Sequence, residues 1–262
     1  MADEDSSPIS APANISADAE VVIAIKDLWK SFGEKKVLQG VDLTVRRGES
    51  VMVLGKSGSG KSVLIKCIVG LLTPDKGSIA VLGEDMLALD NEGLDRVRVK
   101  IGFLFQSSAL YDSMTVRENL EFPLRRHWIA QEGNDSDALV KEALENVGLM
   151  NTIDMYPSEL SGGMRRRIGL ARTLILKPEI VLYDEPTTGL DPITSKEIVE
   201  LILTLQKKYG TSSVIISHDM SVAKLATNRI AVLIEGRTHA EGTYDELHAL
   251  DDPQVQPFFI FM

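Results

Sequence analysis

Gly55-Lys56-Ser57-Gly58-Ser59-Gly60-Lys61-Ser62 is the stretch that decides the fold. It matches the pattern G-x-x-x-x-G-K-[ST] and stands between an apolar predicted strand, 50–54, and a predicted helix, 63–71. Its glycines let successive backbone N–H groups point at phosphate oxygens, and the helix adds its positive N-terminal end. Lys61 supplies a charge for the β- and γ-phosphates, and the Ser62 hydroxyl is a Mg²⁺ ligand. A simple Gly/Ser turn is the alternative, but the strand–loop–helix context favours a nucleotide site.

Two acidic residues after another apolar strand provide the metal ligand that such a site needs. The run 180–183 is followed by Asp184 and Glu185. A carboxylate at the C-terminal tip of a strand beside a phosphate loop can hold Mg²⁺ through water, which suits Asp184. Glu185 can orient or deprotonate an attacking water. Alone, the pair would be an ordinary solvated strand end; beside the phosphate loop, it predicts nucleotide hydrolysis.

Strand-like and helix-like patterns alternate along most of the chain. Helical patterns cover 137–147 and the stretch that Asp191-Pro192 opens. The alternation predicts an α/β fold with a largely parallel sheet covered on both faces. No strand pattern occurs between about 107 and 177, so this block is predicted to be a helical subdomain inserted into the α/β core. The predicted strands are 21–25, 41–45, 50–54, 79–82, 101–105, 180–183, 213–216 and 230–234.

The charge distribution argues against nucleic acid as a partner. The 262 residues include 28 basic and 38 acidic ones, for a formal net charge of −10. Residues 1–20 and 238–262 hold ten of the acids and no Lys or Arg, which leaves 28 of each sign between them. A chain without a net positive field lacks the footprint of a duplex-binding protein. Residues 1–20, rich in Ser, Ala, Pro and Asp, are predicted to form a disordered acidic tail.

Hydropathy and cysteine content indicate a cytosolic protein. The uncharged apolar stretches reach about ten residues, roughly half of what a membrane-spanning helix needs. The N-terminal residues show no basic and apolar pattern of a secretory signal. The single cysteine, Cys67, excludes an internal disulfide, suits a reducing compartment and, among apolar neighbours, is predicted to be buried.

Three further elements accompany the phosphate loop. Ser161-Gly162-Gly163 precedes the helical run 165–176 and offers a second anion site of hydroxyl and N–H groups, although Ser161 could equally be a plain helix cap. Gln106 follows strand 101–105, and His218 follows strand 213–216. Singly these residues are commonplace. In this order and spacing they resemble the ATP-binding-cassette ATPases, and the resemblance covers about residues 21–250.

The resemblance implies a P-loop NTPase core with an N-terminal antiparallel β subdomain, the inserted helical subdomain at 107–177 and a C-terminal tail at 251–262. In this family two copies sandwich two ATP molecules head to tail, with the phosphate loop of one copy facing the Ser-Gly-Gly of the other. The implied catalytic residues are Glu185 as base, His218 and Lys61, and the implied Mg²⁺ ligands are Ser62, Gln106 and Asp184. The implied ATP contacts are Phe32, Gly55, Lys56, Ser57, Gly58, Ser59, Gly60, Lys61, Ser62, Val63, Gln106, Ser161, Gly162, Gly163 and Asp191. For Phe32, stacking on adenine and a place in the core both remain open.

A finer resemblance rests on the segments around the motifs. Phe105-Gln106-Ser107-Ser108-Ala109-Leu110-Tyr111, the segment 157–164 and Asp252-Pro253 are similar to the Mce-associated lipid transporters, the group of the Mla system for outer-membrane lipid asymmetry. Many cassette ATPases carry glutamine at the position of Met164. This difference reduces the number of subfamilies that the chain resembles. The resemblance implies phospholipid cargo moved between inner and outer membranes. It also implies an integral permease, a periplasmic Mce-domain lipid carrier and a small STAS-domain protein as partners, at the cytoplasmic face of the inner membrane.

Two other functions share parts of this pattern. A cassette ATPase that drives a non-transport membrane machine, such as the regulation of wall hydrolases in cell division, would carry the same core motifs. A non-catalytic nucleotide-binding scaffold is disfavoured, because Lys61, Asp184, Glu185 and His218 are all present.

Two segments outside these motifs carry expectations of their own. Arg165-Arg166-Arg167 is predicted to be a solvated helix face. The apolar residues 257–262 are predicted to dock on this chain or on a partner, since exposed apolar patches mark contacts.

Overall fold

The helices and strands follow from a computed structural model, which describes residues 15–16, 18–128 and 135–260. The predicted tail at 1–20 therefore lies mostly outside the described residues, and the domain boundaries stay a prediction. The strands are β1 (Val21–Phe32), β2 (Lys35–Arg46), β3 (Ser50–Leu54), β4 (Lys76–Val81), β5 (Glu84–Asp85), β6 (Ile101–Leu104), β7 (Ile180–Asp184), β8 (Ser212–Ser217), β9 (Arg229–Ile234) and β10 (Arg237–Gly242). The helices are α1 (Lys61–Ile68), α2 (Asn91–Val99), α3 (Val116–Trp128), α4 (Ser136–Asn146), α5 (Gly162–Leu174), α6 (Pro192–Tyr209), α7 (Met220–Ala226), α8 (Tyr244–Ala249) and α9 (Pro257–Ile260).

The six-stranded sheet has the order β10-β9-β3-β8-β7-β6. Its strands are parallel except β10, which pairs antiparallel with β9 at the edge. Every residue of β3, β7 and β8 is buried, which is why each of these strands contains an uninterrupted apolar run of three or four residues. The carboxyl ends of β3, β6, β7 and β8 lie at one edge, where ligands bind in open α/β sheets.

The four-stranded sheet has the order β2-β1-β4-β5 and is antiparallel throughout. Its inner face, including Ile23, Ile25 and Val45, packs into the same core as Leu64 and Ile68 of α1. This contact sets the antiparallel sheet beside the helix that follows the phosphate loop. The predicted α/β class with an antiparallel β portion is confirmed.

The helices α3, α4 and α5 share a second core. Leu120, Leu144 and Ile168 are fully buried in it, together with Val181 and Tyr183 of β7. Within 107–128 and 135–177 the structure contains no strand, as the sequence predicts. The helix α5 therefore connects the helical block to the strand that precedes Asp184.

The C-terminal segment packs on this chain. Val255 and Phe259 are buried against Met220, which begins α7, and Ile230 of β9. The sequence leaves two docking partners open for the apolar terminus, this chain or another protein. For the described residues of the terminus, the structure shows docking on this chain. No helix within 15–16, 18–128 or 135–260 is long and apolar enough to span a bilayer.

Candidate nucleotide-binding site

The loop between β3 and α1 forms a cradle of backbone groups. Gly58 and Gly60 have φ values of +81° and +106°, a left-handed conformation that glycine adopts without strain. A Cβ on Gly60 would lie 2.8 Å from a methyl carbon of Leu38, so only glycine fits there. No side chain caps α1, and its first turn holds no acid. Its first N–H groups are therefore available to an anion.

Two polar side chains complete this cradle. The buried Lys61 ammonium donates to the carbonyl oxygens of Gly55 at 2.7 Å and Lys56 at 3.2 Å. Burial lowers the pKa of Lys61, and the charges of Glu185 and Asp184 oppose that shift. The buried Ser59 hydroxyl has no hydrogen-bond partner among the described residues. A buried ammonium and an unpaired hydroxyl in the same loop fit a phosphate ligand.

Asp184 and Ser62 form a pair of oxygen ligands. Ser62 Oγ donates to Asp184 Oδ1 at 3.2 Å, and the Asp184 side chain is buried at the end of β7. Burial raises the pKa of Asp184, and the Ser62 hydrogen bond and the charges of Lys66 and Lys61 offset that shift only in part. Gln106 lines the same cleft. Carboxylate, hydroxyl and amide oxygens are the hard ligands that Mg²⁺ prefers, so these residues fit the metal.

Glu185 is held in the cleft by two neighbours. Its Oε2 atom accepts a hydrogen bond from Thr188 Oγ1 at 3.0 Å and lies 3.0 Å from His218 Nδ1. The backbone of Glu185 is left-handed, with φ at +51°. A non-glycine residue in that region is strained, and such strain clusters at functional sites.

A cleft of about 840 Å³ joins these groups. Phe32 lies at its rim with about half of its surface exposed, so the structure places this ring in the cleft and not in the core. Lys30 Nζ lies 5.6 Å from the centre of the ring. The predicted site residues that line the cleft are Phe32, Lys56, Ser57, Gly58, Gly60, Lys61, Ser62, Val63, Gln106, Glu185 and His218.

Seven predicted site residues do not line this cleft. Gly55 and Ser59 belong to the phosphate loop and Asp184 accepts from Ser62 of that loop, whereas Ser161, Gly162, Gly163 and Asp191 lie at the starts of α5 and α6. Ser161 Oγ accepts from Met164 N at 3.2 Å and caps α5, which is the plain structural role left open for it. Asp191 caps α6 and accepts from the backbone N–H groups of Ile193 and Thr194. Gly162 and Gly163 form the first turn of α5, close to Leu190 and Thr194. These residues form a second polar surface that the cleft of the same chain does not use.

The structure adds residues that the sequence did not predict. Thr188, Lys35 and Val37 line the cleft. The prediction of a solvated arginine face is wrong for Arg166, which is only 5% exposed. Arg166 lies three and four residues before Gly169 and Leu170 on the buried face of α5, so helical spacing was the signal for its burial.

The model of the ABC transporter family matches residues 38–188, which is more than half of the chain. The chain belongs to the ABC transporter family. As a member of this family it is an ATPase whose cofactors are ATP and Mg²⁺. The matched range begins on β2 and includes the phosphate loop, Gln106, Ser161 and Glu185.

Two relatives match almost the whole ABC ATPase. The protein TRIGALACTOSYLDIACYLGLYCEROL 3, chloroplastic, of Arabidopsis thaliana is 41% identical over 258 residues, which are 92% of this chain and 74% of that protein. The probable ribonucleotide transport ATP-binding protein mkl of Mycobacterium leprae is 38% identical over 238 residues, which are 91% of this chain and 68% of that protein.

A solved structure has the same fold. The dimeric post-hydrolysis structure of the ATP-binding cassette MJ0796, bound to ADP and Pi, superimposes with a TM-score of 0.77 and is 33% identical. The match covers 84% of this chain and 98% of that chain. The predicted P-loop NTPase fold of the cassette type is therefore confirmed.

Proposed function

We propose that this ABC ATPase powers phospholipid transport between the inner and outer membranes, bound peripherally to the cytoplasmic face of the inner membrane. The observation that carries its ATPase chemistry is the convergence of Lys61, Glu185 and His218 on one cleft, with Asp184 bonded to Ser62 of the lining. The lipid cargo is supported by the segments around Gln106 and Ser161 that resemble Mce-associated transporters. A 41% identical relative that carries the name of a galactolipid also favours a lipid.

Each cleft residue receives a role in this proposal. Glu185 takes the proton of the attacking water as the new bond to the γ-phosphorus forms and the bond to the bridging oxygen breaks, releasing ADP and phosphate. Thr188 and His218 hold the Glu185 carboxylate in place. Lys61 and His218 stabilise the charge that develops on the γ-phosphate. Asp184, Ser62 and Gln106 would hold Mg²⁺, which would neutralise phosphate charge.

A second copy of the chain completes the site in this proposal. Ser161 caps α5 through Met164 N, which leaves the N–H groups of Gly162 and Gly163 without a side-chain cap in a first turn that has no acid. All three residues lie outside the cleft of their own chain. In a head-to-tail dimer these groups would contact the γ-phosphate in the opposite cleft, with Asp191 at the same interface. The dimeric cassette structure with the same fold supports this arrangement.

A groove beside Gln106 is the proposed contact for the permease. Phe103 and Phe105 stack there with ring centres 4.1 Å apart, next to exposed Leu71. The groove measures about 340 Å³ and is bordered by Arg98 and Arg126. Asp95 also borders the groove and pairs with both arginines. An apolar floor with a charged rim suits a short amphipathic helix of a membrane partner. Because Phe105 precedes Gln106, movement there would reach the metal ligand.

Two alternatives predict other partners or cargo. The mkl relative is named for ribonucleotide transport, so a ribonucleotide is the second cargo candidate. A machine that regulates wall hydrolases would use the same ATPase without cargo. The Mce-domain carrier and the STAS-domain protein of the proposal are supported only by the finer sequence resemblance.

The test is affinity purification of the membrane complex through a tag on this chain, followed by mass spectrometry of its subunits and lipids. An untagged strain processed in parallel corrects for background membrane lipid. We expect an integral permease, an Mce-domain protein and phospholipid above that background. A wall-hydrolase regulator, or a complex without an Mce-domain protein and without enriched phospholipid, would overturn the lipid-transport proposal.

A further inference from the structure

Arg166 is a buried cation that none of the roles above explains. Within the described residues its guanidinium pairs with no carboxylate, and burial lowers its pKa. Its two terminal nitrogens donate instead to backbone carbonyls, Phe105 O at 3.0 Å and Thr188 O at 3.3 Å. Burying an unpaired charge is costly, and an apolar side chain of similar volume would avoid that cost. The position therefore calls for a reason beyond packing.

The two carbonyls belong to the two loops that carry the reacting groups. Phe105 directly precedes Gln106 after β6, and Thr188 donates its hydroxyl to the Glu185 carboxylate after β7. Both loops contain residues in left-handed conformations, Ser108 and Ala109 in one and Glu185 in the other. Strained backbone segments keep their geometry only when several surrounding contacts hold them in place. The Arg166 guanidinium is a contact that both loops share.

The adjacent arginines behave differently. Arg165 donates to Leu160 O at 2.5 Å, within the segment that leads into α5. Arg167 pairs with Glu197 at 2.7 Å on a partly exposed surface. Neither of these contacts reaches the Gln106 loop or the Glu185 loop.

We propose that Arg166 is a positioning residue for ATP hydrolysis, which holds the Gln106 and Glu185 loops at a fixed separation and joins both to α5. The inference rests on the proposed roles of Gln106 and Glu185. Since α5 begins with Ser161–Gly163, the guanidinium also connects the second polar surface with the chemistry in the cleft. It does not contact the phosphate loop, so its loss should lower kcat more than it lowers ATP affinity.

The test is Arg166→Met, which replaces the guanidinium by an apolar side chain of similar length. Because hydrogen bonds from a charged donor are lost, we expect kcat to fall about tenfold, with KM for ATP within about twofold of the parent. The Mg²⁺ concentration for half-maximal activity should rise, because Gln106 loses its support. Arg167→Met is the matched control and should change kcat by less than about twofold, as exposed ion pairs contribute little.

The outcomes are separable. Unchanged kcat in folded Arg166→Met, or a loss that appears equally in ATP affinity, would overturn the positioning role. If Arg166→Met does not fold, the neutral Arg166→Gln, which keeps an amide donor, takes its place. We expect a smaller fall in kcat for Arg166→Gln, with KM for ATP unchanged. A parental kcat in Arg166→Gln would also overturn the positioning role. Glu185→Gln is assayed alongside. Parental hydrolysis in Glu185→Gln overturns the proposed site, whereas a slow Glu185→Gln with a fully active Arg166→Met overturns only the role of Arg166.

Discussion

Lys61 shows how a single buried charge serves ligand binding more than folding. Within the described residues its ammonium donates to two carbonyls of its own loop, and burial lowers its pKa, so these contacts stabilise the cation incompletely. Two phosphate oxygens would supply the missing negative partners. Asp184 is its acidic counterpart, with a pKa raised by burial. Each residue is poised for a ligand of the opposite charge.

Lys61→Met is expected to abolish tight ATP binding while the protein stays folded. Loss of two charge-assisted hydrogen bonds should weaken ATP binding about 100-fold, measured by titration calorimetry. Lys36→Met, which changes an exposed lysine on β2, is the control and should bind ATP like the parent. Parental affinity in Lys61→Met would contradict the assignment of the phosphate site.

Cys67 is expected to be chemically silent in the folded protein. It is 1% exposed, and burial raises its pKa to about 11, so almost no thiolate exists at pH 8. A thiol reagent such as Ellman's should therefore modify no cysteine in the native chain and one per chain in guanidinium chloride. Rapid reaction of the native protein would show that the core around α1 opens readily.

At the residue scale, sequence patterns predict functional side chains that follow strands. They do not predict side chains that donate to backbone carbonyls, such as that of Arg166. Lys61, Gln106, Glu185 and His218 each stand next to a recognisable strand end, and the structure brings them together. The partners of Arg166 are carbonyls 61 and 22 residues away, which no side-chain motif encodes.

At the element scale, the spacing of apolar residues does not predict the polar elements α2 and β10. The helix α2 begins at a cap, Asp90, but carries too many charges to show an apolar stripe. The edge strand β10 alternates exposed and half-buried polar residues. The hairpin β1–β2 continues beyond both predicted strands to Phe32 and Lys35, because cross-strand pairing holds residues that are only half-buried.

The acidic ends of the chain are partly built into the fold. Glu20 pairs with Arg47 at 2.6 Å, and Glu241 pairs with Arg229. Asp252 lies 2.9 Å from His239, which lowers the pKa of Asp252 and connects the C-terminal segment to β10. The negative excess of the termini therefore includes structural contacts as well as solvated charge.

The C-terminal segment is expected to contribute directly to stability. Phe259→Ala removes a buried ring that packs with Met220 and contacts Tyr244 edge-on at 5.4 Å. We expect a loss of about 3 kcal/mol in the free energy of unfolding, measured by urea denaturation. Gln254→Ala, an exposed change in the same segment, should lose less than about 0.5 kcal/mol. Equal stability of the two variants would contradict docking of this segment on the chain.

At the scale of the whole molecule, the proposed site takes its two parts from two chains. Ser161–Gly163 do not line the cleft of their own chain that contains Glu185. A two-fold axis that pairs each part with the other would complete two identical sites at once. The balanced charge between the acidic ends suits a surface that contacts a copy of itself.

The phosphate loop and the parallel strands can be predicted because they depend on patterns of neighbouring residues. Together they indicate the fold class. The sequence does not encode partners or cargo in the same way, since the groove proposed for the permease brings together residues from 69 to 127 only after folding. The lipid assignment thus depends on relatives, whereas the ATPase assignment follows from the chain itself.

The most direct test of a shared, Glu185-dependent site is the mass of Glu185→Gln in solution with ATP and Mg²⁺, by size-exclusion chromatography with light scattering. Loss of the general base should slow hydrolysis about 100-fold or more and trap a closed dimer of twice the 28.7 kDa chain mass. Glu145→Gln, an exposed change on α4, should hydrolyse ATP like the parent and accumulate no dimer. A Glu185→Gln protein that stays monomeric with ATP and hydrolyses it at the parental rate would contradict both the base and the composite site.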